Sequence, residues 1–225
     1  MRYVTIFALI LGAALTPLSG AIYGPEDVDH HKHRYHHTKR GNWLTRVRAL
    51  YILPNDSSGS WNRIPHAGVC VHPAWTGEFD FGYMFTKNLG SEFAITTSEH
   101  TLKGKGSLSG KTLGTTWILP PTFTLHWRFF PTSIAQPYVG GGVNFTLFYN
   151  QHSAIKGTQL QLQHTSWGPV LQAGMDLFFY KDWFFNLDTR YVWMSSRVHL
   201  AGTTRGHVDV TWNPWFFGFG IGKKW

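Results

Sequence analysis

The sequence predicts an all-β fold, an eight-stranded antiparallel transmembrane β-barrel with short periplasmic turns and long extracellular loops. Three observations point there. The last stretch sets Trp215, Phe217, Phe219 and Ile221 on one face, with Trp225 in the same row, against Phe216 and the small series Gly218, Gly220 and Gly222. A period of two belongs to a strand, because successive side chains leave opposite faces of the backbone. Composition is the second: 14% of the 225 residues are charged and 16% are aromatic, with 11 Trp and 17 Phe. A soluble domain carries about 25% charged residues, so part of this surface does not face water. Third, the connections alternate between long and short, as they do in outer-membrane barrels.

The amino terminus reads as an export signal. Met1-Arg2 supplies a positive start, Val4 to Leu15 is apolar and uncharged, and Ser19-Gly20-Ala21 fits a small-x-small cleavage site. That run is shorter than the roughly 18 residues a spanning helix needs. Residues 1–21 are therefore expected to be a signal peptide and 22–41 a polar, His-rich periplasmic leader, with the barrel over 42–225.

The first strand runs from Trp43 to Leu53, where Trp43, Thr45, Val47, Ala49, Tyr51 and Leu53 oppose Arg46 and Arg48. Pro54-Asn55-Asp56 ends it. The second, from about Ala74 to Met84, sets Trp75, Phe79, Phe81 and Tyr83 against Thr76, Glu78, Asp80 and Gly82. After the turn Lys87-Asn88-Leu89-Gly90, the third places Phe93, Ile95 and Thr97 opposite Glu92, Ala94 and Thr96. The fourth, Thr122 to Phe130, sets Phe123, Leu125, Trp127 and Phe129 against Thr124, His126 and Arg128. The fifth, Tyr138 to Tyr149, opposes Val139, Val143, Phe145 and Leu147 to Gly140, Gly142, Asn144 and Thr146. In the sixth, from Gly168 to Phe179, Leu171, Ala173, Met175 and Leu177 oppose Gln172, Gly174 and Asp176. The seventh, Phe184 to Met194, sets Phe185, Leu187, Thr189, Tyr191 and Trp193 against Asn186, Asp188 and Arg190. The terminal strand makes eight.

A soluble lipocalin-like barrel also alternates, with its apolar rows inside. Eight barely charged aromatic rows are more than one small cavity could hold, so the greasy rows are expected to face lipid. In lipid an open sheet edge leaves backbone groups unpaired at several kcal/mol each, so the sheet must close.

At this point particular residues resemble the outer membrane protein W (OmpW) family. Leu119-Pro120-Pro121-Thr122, Trp127 and the run from Pro137 to Phe145 are similar to its centre. So are Ser166-Trp167-Gly168, Gln172 to Asp176 and Lys181-Asp182-Trp183, while Asn213-Pro214-Trp215 with Phe217, Gly220 and Gly222 resembles its closing strand. Tyr83-Met84, Asn88-Leu89-Gly90 and Glu92 match its second hairpin. The resemblance implies a narrow barrel that passes small, often apolar molecules, with exit sideways into the bilayer. Three departures accompany it. Some relatives narrow the lumen with large apolar residues where this chain has Ala94 and Arg190. Lys223 and Trp225 replace the usual aromatic-x-Phe ending, which bears on recognition of the terminal strand by the barrel-insertion machinery. The His-rich leader is outside the usual pattern.

The expected lumen residues are Arg46, Arg48, Glu78, Asp80, Glu92, Ala94, His126, Arg128, Asp176, Asp188 and Arg190. Four guanidinium groups and five carboxylates in a narrow low-dielectric tube must largely pair. They form either a polar filter or a salt-bridged plug, and a plugged barrel would serve as a structural, adhesive or receptor surface through its loops. The partners expected are outer-membrane lipid, lipopolysaccharide and small hydrophobic solutes.

Other chemistries are weaker. The Lys and Arg behind the net charge of +8 are scattered, which argues against nucleic acid. The single Cys70 excludes an intramolecular disulfide and a Cys-based zinc cluster. His30-His31-Lys32-His33-Arg34-Tyr35-His36-His37 could take up a metal, but its interleaved cations oppose this and no metal or cofactor is expected. Ser98, Glu99 and His100, or Ser195, Ser196 and His199, lie near the outer rim where some barrels hydrolyse lipid. Neither set supplies a separate nucleophile, base and orienter, so no enzyme is expected.

Overall fold

The outward rows are large and apolar and the inward rows mixed, a pattern that only a closed sheet in lipid satisfies. The computed structural model describes residues 42–55, 57–58, 67–154, 158–202 and 206–225. The expected signal peptide, the leader and the His30–His37 tract lie outside these residues.

Eight long strands follow one another. They are β1 (Trp43–Leu53, with Ser57–Ser58), β2 (Ala67–Val71 and Ala74–Met84), β3 (Leu89–Thr96 and Ser98–Gly106) and β4 (Thr112–Leu119 and Thr122–Arg128). Then come β5 (Ala135–Ser153), β6 (Thr158–Leu162 and Thr165–Tyr180), β7 (Trp183–Val192 and Ser195–Gly202) and β8 (Gly206–Thr211 and Trp215–Lys224). Each pairs antiparallel with its neighbour in sequence. β8 also pairs with both β7 and β1, the latter from Leu44–Lys224 to Leu53–Trp215, and closes the ring.

The long connections read from the sequence are largely strand as well. Above the closed ring the sheet divides in two. One part holds the outer segments of β2, β3 and β4 with the end of β5; the other holds those of β6, β7, β8 and β1.

Outward residues form the expected lipid coat. Phe81, Phe93, Phe123, Leu125, Val143, Leu171, Leu187 and Phe219 all stay exposed between two aromatic belts. Near the short turns stand Trp43, Tyr83, Trp127 and Trp225, and at the other rim Trp75, Trp117, Tyr149, Trp167, Tyr191 and Trp215. Girdles of this kind mark the two interfaces of a transmembrane barrel. Trp43 stacks on Phe81 at 4.7 Å and Tyr191 packs on Trp215 at 4.9 Å, so neighbouring strands are locked within each belt.

Inside, the lumen is layered. Leu44, Met84, Phe178 and Phe184 fill the end beside the short turns. The outer part is filled by Leu50, Ile52, Val69, Leu102, Leu113, Ile118, Phe148, Val192, Met194, Val210, Trp212 and Phe216, among others. The charged residues lie between.

Candidate functional site

All eleven residues expected in the lumen face inward, and none is more than 5% exposed. Strand parity alone delivers them: β1 supplies Arg46 and Arg48, β2 Glu78 and Asp80, β3 Glu92 and Ala94, β4 His126 and Arg128, β6 Asp176, and β7 Asp188 and Arg190.

Charged groups among them meet across the barrel axis. Arg46 pairs with Glu92 at 2.6 Å and Asp176 at 3.0 Å. Arg48 reaches Glu78 at 2.9 Å, Glu92 at 3.0 Å and Asp80 at 3.3 Å. Arg128 binds Asp176 at 2.7 Å. Arg190 lies against Glu78 and holds Asp188 at 2.9 Å through Nε. A buried charge without a partner costs several kcal/mol, so these contacts are a condition of folding rather than decoration.

Uncharged residues that sequence reasoning missed complete the network. Gln172 donates to Glu92 at 3.0 Å and Asp188 at 2.8 Å. The Tyr138 hydroxyl donates to Asp188 at 2.7 Å. Asn186 accepts from Arg48 Nε at 2.6 Å and donates to Asp176 at 2.7 Å. Thr124 donates to Gln172, and Gln136 accepts from Arg128. Gln172 and Asn186 share the parity of the charged residues, which was the available signal. Tyr138 needs an opening in the wall opposite it: a Cβ on Gly174 would lie 2.4 Å from its ring.

Two of the eleven do not join by hydrogen bonds. Ala94 has no side-chain polar atom. His126 packs on Tyr138 at 5.3 Å, but neither ring nitrogen has a hydrogen-bond partner among the described residues.

Cation–ring contacts seal both faces of the ionic layer. Arg190 lies 5.6 Å from the Phe216 ring on the outer side, and Arg46 lies 5.4 Å from Phe184 on the other. With every ion-paired side chain at most 4% exposed, this layer separates the two apolar ends of the lumen.

The wall itself has a weak seam. Pairing of β3 with β4 runs from Leu89–Trp127 to Ala94–Thr122 and resumes in the same register at Ser98–Ile118. Pro120 and Pro121 fall in the gap and have no N–H to donate. Side chains take up part of the loss: Asn144 and Thr122 donate to the Pro120 carbonyl at 3.2 and 3.0 Å, and Thr97 donates to the Ile118 carbonyl at 3.1 Å.

The Ser98–Glu99–His100 rim cluster is structural. Ser98 Oγ lies 3.0 Å from His100 Nε2, and His100 Nδ1 lies 2.9 Å from the His72 carbonyl. A carbonyl can only accept, so Nδ1 carries the proton and Ser98 donates to Nε2. Both residues are buried, and Glu99 leaves the opposite face of the strand. The His199 side chain lies outside what the structure describes.

An exposed apolar coat between aromatic belts, a closed eight-strand ring and a polar interior define an outer-membrane β-barrel. The OmpW family model matches residues 39–225, and the chain belongs to the OmpW family. It is 32% identical to outer membrane protein W of Escherichia coli K12 over 231 residues, covering all of both chains. It is 31% identical to the uncharacterized outer-membrane protein y4mB of Sinorhizobium fredii over 183 residues, 80% of this chain and 78% of that one. The crystal structure of the outer membrane protein OprG from Pseudomonas aeruginosa matches with a TM-score of 0.77 at 27% identity, covering 83% of this chain and 96% of that one. Barrels of this family are not enzymes.

Proposed function

We propose that this outer-membrane barrel admits small, partly hydrophobic molecules from outside into its apolar outer lumen and releases them sideways into the bilayer. The observation that carries this reading is the buried ionic layer. It blocks the straight path to the periplasm while the lumen outside it is apolar. Beside that layer, the β3–β4 seam lacks ladder bonds around Pro120 and Pro121 and has the small Ala94 on its inner face. Solute crossing there avoids the desolvated charges altogether. In this reading the eleven residues act as a floor that turns solutes aside. The chain is exported through a signal peptide cleaved after Ala21, sits among lipid and lipopolysaccharide, and offers its terminal strand to the insertion machinery.

Locking the seam tests the route. Thr97 stands opposite Leu119 in the continuous register, so a Thr97→Cys, Leu119→Cys pair in a Cys70→Ser background can bridge it. In liposomes, protein-dependent uptake of a small arene should fall several-fold on oxidation and recover with reductant. Planar bilayers should show almost no ion conductance in either state. Uptake indifferent to the bridge would overturn the sideways route. No uptake at all, with surface attachment through the outer hairpins, would favour a structural barrel, a reading supported by the long strand extensions and the filled lumen.

A further inference from the structure

Trp212 is the largest side chain buried in the outer lumen, 1% exposed. It projects from β8, yet its ring packs on Phe148 of β5 at 5.3 Å and His100 of β3 at 5.9 Å. Those strands are on the far side of the ring from β8, so the indole crosses the lumen. It also joins the two outer sheets, since β8 belongs to one and β3 and β5 to the other.

The backbone beneath it is fixed. Trp212 N donates to the Met194 carbonyl at 2.9 Å, and Asn213 Oδ1 accepts from Met194 N at 3.1 Å. Asn213 has φ of 33° immediately before Pro214, a left-handed kink that sets the indole inward where β8 changes sheets. Yet the indole Nε1–H, a donor only, has no partner among the described residues.

Nearby acceptors are committed or weak. His100 Nε2 takes the Ser98 proton, and His100 Nδ1 is itself a donor. The Met194 sulfur, a weak acceptor, lies 3.4 Å from the Thr146 hydroxyl, whose one proton goes to Asn144 Oδ1 at 2.5 Å. A second orphan is Ser196, 2% exposed, whose Oγ has no partner among the described residues; it faces inward opposite Val210, two residues from Trp212 on the same face. Leu50, Ile52, Val192, Val210 and Phe216 offer no polar atom to either group. An unpaired buried donor is costly, and a guest that supplies an acceptor recovers that loss.

We infer that the outer lumen is a recognition site for small apolar molecules carrying one acceptor oxygen, a ketone, ester or ether. The Trp212 indole N–H or the Ser196 hydroxyl donates to that oxygen, and the surrounding aliphatic and aromatic side chains hold the hydrocarbon part. This rests on the uptake reading above and narrows it to a solute class. A saturated hydrocarbon of the same shape leaves both donors unpaired and gains only burial.

Acetophenone and cumene have nearly the same shape and differ in the oxygen, which makes them the test pair. In liposomes holding the full chain, protein-dependent uptake should favour acetophenone by about five-fold after correction for protein-free vesicles, the ratio of one ordinary hydrogen bond. Trp212→Phe should remove the preference, read as the ratio of acetophenone to cumene uptake by the same variant. Ser196→Ala should weaken the preference and serves as the second variant if the first does not fold. In nanodiscs with 15N-labelled indole, the Trp212 Nε1–H resonance, assigned by its loss in Trp212→Phe, should move with acetophenone and stay still with cumene. Equal uptake of both probes, or a preference that survives both substitutions, overturns the inference while leaving transport intact. If neither probe is taken up, the uptake reading falls and the indole resonance alone decides whether the site binds the ketone.

Discussion

The middle and outer parts of the lumen are built on the same strands and the same inward parity, yet they are opposite environments. In the middle, Arg46, Arg48, Arg128 and Arg190 meet five carboxylates, and the amides and phenol around them are spent on the same network. Farther out, Leu50, Ile52, Val192, Phe148, Trp212 and Phe216 pack without charge; Trp212 Nε1 and Ser196 Oγ are unpaired there among the described residues, whereas the unpaired Arg46 Nε and Arg128 Nε of the middle belong to guanidinium groups already held by carboxylates. The lesson is that the layer most like a polar pore is the one best sealed. Charges removed from water in a narrow tube must satisfy one another, because leaving one unpaired costs more than pairing it, and the tube closes on them. In the proposed uptake the part that receives a guest is the apolar one, where side chains can shift without stranding a charge.

The comparison is broken most severely by removing one cation. Arg48→Met should strand carboxylates of β2, β3 and β7 and cost about 3–5 kcal/mol, read from urea unfolding in lipid vesicles. It should also raise ion conductance, which Leu50→Ala should not. In the outer lumen, Leu50→Ala should cost about 2–3 kcal/mol by opening a cavity, with arene uptake kept or increased. An uptake loss there would show that the apolar part is packing rather than passage. Gly174→Ala probes how tightly the ionic layer is fitted. Its Cβ would displace the Tyr138 phenol from Asp188, for about 1–3 kcal/mol, measurable by the same unfolding. The smallest effect belongs outside both regions. Trp225 Nε1 donates to Thr45 Oγ1 at 3.0 Å across the β1–β8 closure. Trp225→Ala should cost about 1 kcal/mol with uptake unchanged, and any larger effect on assembly in cells would point to the insertion machinery.

How far the sequence could be read follows the same division. Inside the bilayer the outward row must be greasy, so the contrast between rows is sharp and each charged lumen residue is placed by parity. Beyond the outer belt both faces of a strand meet water or protein, and the contrast fades. For that reason Ser98–Gly106 and Thr112–Leu119 read as loops although they are strands, and Leu102, Leu113 and Trp212 went unrecognised as lumen residues. Uncharged partners such as Tyr138 and Asn186 were hidden differently. Their side chains suit either face of a strand, and only the location of Asp188 and Asp176 gives them a task.

By itself, the sequence determined that eight alternating segments close into a barrel with aromatic rows in lipid, because burying or exposing those rows any other way costs too much. Which guanidinium meets which carboxylate, and that Trp212 reaches across to His100 and Phe148, was decided only by the tertiary structure. Apart from Arg190 with Asp188, those pairs are 30 or more residues apart in the chain, and only the stagger of strands around the closed ring sets the height at which opposite walls face each other.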